Sequence, residues 1–162
     1  MSGVALLIGF SPMSRTIRKP AATIATDLET IGWSLRQASR RSGFSRWQIQ
    51  RWEHGAAPAD PRFRSWLREL AELHSRLSSP LARAVPPPGN RLPLDGYGVT
   101  DALLTIGWSE RLLAKRLGEH HTALRRLIIR NATFPARASR WLEALADGHR
   151  ELPRPTRDET TN

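Results

Sequence analysis

A chain of 162 residues holds one ordinary domain or two small ones. It has no cysteine, so disulfides and thiolate zinc sites are excluded, which suits a reducing cytosol. No apolar run approaches the roughly 18 residues of a membrane span. Lys+Arg number 25 against 15 Asp+Glu, a net charge of +10 carried almost wholly by arginine. That balance points to a polyanionic partner, most often nucleic acid.

The N-terminal stretch VALLIGF is short and has no preceding positive segment, so it reads poorly as a signal peptide. The recognisable pattern begins after Pro20, which makes Met13 an alternative start and residues 1–21 an expected flexible arm carrying Arg15, Arg18 and Lys19.

From there the chain repeats itself. TIGWS at Thr30–Ser34 returns at Thr105–Ser109, an offset of 75 residues. The same offset aligns Leu28 with Leu103, Arg36 with Arg111, Arg41 with Arg116, Gly43 with Gly118 and Arg51 with Arg126. It also aligns Arg62 with Arg137, Trp66-Leu67 with Trp141-Leu142, Leu70-Ala71 with Leu145-Ala146, and His74 with His149, without a gap. The spacing predicts two domains, 22–76 and 97–151, a Pro/Gly-rich linker over 77–96 and a disordered polar tail over 152–162.

Each copy reads as helical. Ile24, Leu28 and Ile31, like Val99, Leu103 and Ile106, fall at i, i+4, i+7. Gly32 and Gly107 end this first helix. Ser34 and Ser109 cap a second, over 35–42 and 110–117, with Trp33 and Trp108 as staple-like residues before the cap. Gly43 and Gly118 break it, and a third helix follows over 45–54 and 120–130. Pro61 and Pro135 mark the start of a fourth. The expected class is all-α, and a unit this small is marginal alone. The copies either dock, through the Trp-Leu faces of the fourth helices, or stay independent.

ASRRSGFSRWQIQRWEHG, Ala38 to Gly55, and LLAKRLGEHHTALRRLIIRN, Leu112 to Asn131, resemble the helix-turn-helix of the lambda-repressor-like (XRE) DNA-binding domains. Small Ser39 or Ala114 lets the two helices cross closely, and Gly43 or Gly118 supplies the turn. Phe44, Ile49 and Trp52, and in the second copy Leu113, Leu117, Leu124 and Leu127, are expected to face the core. The sequence departs from the family at Leu35 and Glu110, where a Gln is usual, at Ser42, where Leu is usual, and at Glu119, where the turn residue is apolar.

The resemblance implies that the third helix reads base edges while the second rests on the backbone. The implied readers are Ser45, Arg46, Trp47, Gln48, Gln50, Arg51 and His54 in the first copy. In the second they are His120, His121, Thr122, Ala123, Arg125 and Arg126. Gln suits adenine, Arg suits guanine, and Thr, Ala or Trp can pack on a thymine methyl. Arg36, Arg40, Arg41, Arg111, Lys115 and Arg116 are the implied phosphate contacts. His74 and His149 sit at helix ends, where a cation is favoured.

Neither a nucleophile elbow, a P-loop, a paired-carboxylate pattern nor a metal-ligand spacing occurs, so no enzyme and no cofactor is expected. His120-His121 is a poor metal pair, because adjacent helical positions diverge and no third ligand accompanies them. The expectation is a sequence-specific regulator binding double-stranded DNA, a prokaryotic cytoplasmic repressor on the nucleoid, with self-association or a protein partner possible and no membrane. The competing expectation is a protein-interaction module, an antitoxin-like or adaptor subunit. RNA binding comes third, since no aromatic sheet motif supports it.

Overall fold

The computed structural model describes residues 23–79 and 92–155. The expected N-terminal arm, the middle of the linker and the end of the tail lie outside the described residues. Within them the chain forms eight helices and no strand. The first copy holds α1 (Ile24–Ile31), α2 (Leu35–Ser42), α3 (Arg46–Glu53) and α4 (Pro61–Arg76). The second holds α5 (Gly96–Ile106), α6 (Glu110–Leu117), α7 (His121–Ile129) and α8 (Ala136–Glu151).

The caps explain most of these limits. Ser34 and Ser45 each form a capping box, with Gln37 and Gln48, that satisfies first-turn N–H groups of α2 and α3. Asp60 accepts from the backbone of Arg62 and Phe63, and Pro61 occupies the first turn of α4. Asp95 caps α5, so this helix begins one residue before the expected start of the second domain. Gly32 and Gly107 end α1 and α5 at φ 85° and 82°, a left-handed conformation that glycine adopts without strain.

Within each copy the first helix packs on the fourth and the second on the third. The apolar stripes of α1 and α5 are buried, as are Phe44, Ile49, Leu113, Leu117 and Leu124. Each such large side chain contributes about 1.5–3 kcal/mol when fully buried. Trp52 is partly buried against the same core. Leu127 departs from its expected core position: 38% of it is exposed, at the edge of α7.

The copies dock, and their buried side chains form one continuous cluster. The contact is reciprocal. Trp33 Nε1 donates to the carbonyl of Ile106 at 2.9 Å, and Trp108 Nε1 donates to that of Ile31 at 2.7 Å. Trp66 Nε1 donates to Leu152 O at 3.2 Å, and Trp141 Nε1 to Leu77 O at 2.8 Å. Arg41 donates to the carbonyls of Leu104 and Thr105, while Arg116 donates to those of Glu29 and Thr30. Every donor and acceptor in one member of these pairs is offset by the repeat length from its equivalent in the other. That is the signature of an isologous, two-fold contact, here made inside a single chain.

His74 and His149 are each other's repeat equivalents and meet at 2.9 Å between Nε2 atoms, which puts them on the pseudo-two-fold axis. The fourth helices do pack on one another, as one of the two expectations held. The larger share of the hydrogen bonding, however, joins α2 or α6, through its last-turn arginine and the tryptophan before it, to the end of the first helix in the other copy. Trp33 and Trp108 are therefore cross-copy donors. Their indoles find polar partners in the last-turn carbonyls of the opposite first helix, groups that no helix can satisfy by itself.

Candidate nucleic-acid interface

The α2–α3 and α6–α7 pairs turn at Gly43 and Gly118, at φ 78° and 66°. Ser39 uses its hydroxyl to bond Phe44 O at 2.7 Å across the first turn, and its equivalent Ala114 is buried. Ser42, the polar substitute for Leu, is buried without penalty because it donates to Ala38 O at 2.7 Å and accepts from the backbone of Phe44.

On α3 the side chains of Arg46, Gln50 and Arg51 are exposed, and Ser45 and His54 are exposed at its two ends. Trp47 is 64% exposed, and the Arg51 guanidinium stacks over its ring at 4.7 Å. Gln48 is half-buried, its amide turned back onto the Ser45 cap, so its access to a base edge would require giving up that cap. On α7, Thr122, Ala123, Arg125 and Arg126 are exposed, and His120 is exposed just before them. His121 turns toward α6, 3.7 Å from the Glu110 carboxylate.

The six expected phosphate contacts divide. Arg36, Arg40, Arg111 and Lys115 are exposed. Arg41 and Arg116 are instead half-buried in the contact between copies. Their guanidiniums bind helix C-terminal carbonyls and lie 5.5 Å and 5.6 Å from the rings of Trp33 and Trp108. A cation there complements the negative end of the opposite first helix. Burial also lowers the Arg41 pKa.

His74 and His149 need a second correction. Burial drives both below the ordinary histidine value, His74 to about 3 and His149 to about 4. The next cause for His74 is its partner His149, then Arg116; for His149 it is Arg41. At neutral pH they form an uncharged donor–acceptor pair in place of helix-end cations.

The candidate reading helices thus share a position and differ in content. Only Arg51 and Arg126 match among the outward residues; Trp47 faces Thr122 in the alignment, Gln50 faces Arg125 and Arg46 faces His121. Reading the sequence missed Trp33, Gln37 and Trp108 as residues that join the two copies. The available signal was TIGWS itself, identical in both copies at the point where each touches the other. Among the described residues no group of His, Cys, Asp and Glu could hold a metal ion, and no helix is long and apolar enough to cross a membrane. No protein-family model, curated protein or solved structure matches the chain.

Proposed function

We propose that this protein is a sequence-specific regulator of double-stranded DNA that reads a site with both copies of one chain, and that it represses by occupying that site. The observation that carries this reading is the pair of exposed, arginine-bearing helices, α3 and α7, related by the pseudo-two-fold axis through His74 and His149. Two-fold DNA readers place equivalent helices in successive major grooves, about 34 Å apart. One chain with internal two-fold symmetry meets the approximate dyad of a duplex in the same way. Its phosphate contacts would be near-symmetric, through Arg36 with Arg111 and Arg40 with Lys115. Its base contacts would not be, because Gln50 and Arg125 prefer adenine and guanine respectively. The target is therefore an imperfect palindrome whose half-sites differ in sequence.

In vitro site selection with wild type, Gln50→Ala and Arg125→Ala tests this. Each substitution should relax a different half of the selected site and cost about 1–3 kcal/mol against the cognate sequence. Mobility shifts at two salt concentrations should lose affinity steeply with salt. Selection of no sequence at all would reduce the binding to unspecific charge, and a flat salt response would end the proposal.

A further inference from the structure

We propose that the second copy carries a binding site for a small planar aromatic molecule, in a cavity of about 280 Å³ between the α6–α7 turn, α7 and the start of α8. The repeat itself says what the space is shaped to hold. In the first copy the same place is filled by the rings of Phe44, Trp52 and Phe63, with centroids 5.1–5.7 Å apart. The equivalents in the second copy are Glu119, Leu127 and Ala138. Three aromatic side chains are thus replaced by a rim carboxylate, a shorter aliphatic chain and a methyl group. Phe134, where the first copy has Ala59, returns one ring to the space, and the remainder stays open.

The walls suit a flat apolar guest. Leu117, Leu124, Phe134 and Ala138 form a buried floor, and Leu127 stands at the mouth. The volume exceeds the ~150 Å³ in which an apolar protein cavity accepts benzene. It sits just under the ~300 Å³ where small-molecule pockets begin. One or two fused rings fill it. Glu119 and Arg137 both line the cavity, and the carboxylate offers an acceptor, so a ring bearing an N–H group, such as an indole, meets both the apolar floor and that acceptor. A site of this kind would also couple to α7, which supplies one wall; that consequence rests on the DNA-reading proposal, whereas the binding itself does not.

The test titrates the full chain with 5-fluoroindole, followed by fluorine NMR and by the methyl resonances of the protein. Saturable fluorine shifts are expected, with the methyl groups of Leu117, Leu124 and Leu127 moving and those of Leu67 and Leu70 in the first copy unmoved. Leu127→Trp returns the first copy's residue to a half-exposed mouth and should weaken binding at least about tenfold. Ala138→Leu fills the floor and should do the same, with both variants checked for an unchanged far-ultraviolet spectrum. Unsaturable shifts, methyl changes scattered over both copies, or undiminished binding by a folded filled variant would each overturn the proposal. The DNA arm is read separately: binding of 5-fluoroindole without any change in DNA affinity leaves the site standing and removes only the coupling.

Discussion

The two copies have the same backbone plan and very different interiors. In the first, Phe44, Trp52, Phe63 and Trp66 form a run of tilted and edge-on rings, and Asp27, buried, pairs with Arg64 at 2.5 Å. In the second, the equivalents of that ion pair are Ala102 and Ser139, and the ring cluster has become a cavity. The surface between the copies has hardly diverged. Gly32, Trp33, Arg41, Trp66, His74 and Leu77 recur as Gly107, Trp108, Arg116, Trp141, His149 and Leu152. A residue inside one copy has only its own neighbours to satisfy. A residue at a two-fold contact must fit a mirror set of partners, so a change on one side leaves a mismatch on both. One departure at the contact is matched: Leu73 lies in the space left by Gly148, where an added Cβ would come within 2.5 Å of its side chain. Another is not: Gln37 donates to Gly107 O at 2.7 Å, whereas its equivalent Leu112 packs on Gly32.

The largest test of this contrast is removal of the shared tryptophans. Trp33→Ala and Trp108→Ala each delete a buried ring and leave a helix-end carbonyl without its donor. Each should cost about 3–5 kcal/mol in urea unfolding. Because the contact is shared, both variants should still unfold in one transition, with equal losses. A variant in which one half melts early while the other keeps its wild-type midpoint would show that the copies stand independently. Trp47→Ala, far from the contact and exposed, should change stability by less than about 0.5 kcal/mol.

The histidine pair gives the next effect, and its sign is fixed by the lowered pKa values. Both rings are neutral in the folded chain down to about pH 4, whereas in the unfolded chain they take up protons near 6.5. The unfolded state therefore binds more protons between those limits, and stability rises with pH across the window. It should be complete above about pH 6.5 and fall on acidification to about pH 4 by on the order of 3 kcal/mol for each ring, about 6 kcal/mol for the pair. His149→Phe should flatten this dependence. An unchanged acid slope in that variant would assign the effect to the carboxylates instead.

Much of the fold was open to reading and the contact was not, for one physical reason. Helical period, glycine stops and serine caps are local properties, so α2 and α6 fall where the residues 35–42 and 110–117 predict them. A buried indole at Trp33 looks the same in sequence whether its partner is its own helix or the other copy. Arg41 was likewise indistinguishable from Arg40: charge and spacing suit a phosphate, and only the fold brings the carbonyls of Leu104 and Thr105 to it. The cavity was hidden differently. Replacement of Trp52 by Leu127 keeps the apolar pattern while removing the volume. On the candidate reading faces the sequence did better, because exposure on α3 and α7 follows directly from which positions the core consumes.

Glycine substitutions compare a contact position with a free one. Ala at Gly43 must adopt φ 78° but meets nothing within 4 Å, so Gly43→Ala should cost about 1 kcal/mol of left-handed strain. Ala at Gly107 has the same strain, and its Cβ would lie 2.4 Å from Arg41 Nε. The guanidinium would have to leave the carbonyls it binds, and the total should reach about 2 kcal/mol or more in thermal melts. Equal losses at the two sites would mean that Arg41 swings away freely and contributes nothing to docking.

The smallest effect separates α3 from α7. Ser45 caps α3 by accepting from Gln48 N at 3.2 Å, while His120 at the equivalent place makes no side-chain cap on α7. Ser45→Ala should cost about 1 kcal/mol, and His120→Ser should gain up to about the same, since serine can accept from the N–H of Ala123. The two changes exchange the capping states of the copies while leaving their cores and their contact alone. Amide exchange in the first turns of α3 and α7 would register them residue by residue: faster exchange at Gln48 in one variant, slower exchange at Ala123 in the other. If His120→Ser leaves Ala123 as it was, the bond that the Ala123 N–H already makes to the His120 carbonyl, at 3.0 Å, satisfies that turn as well as a hydroxyl can.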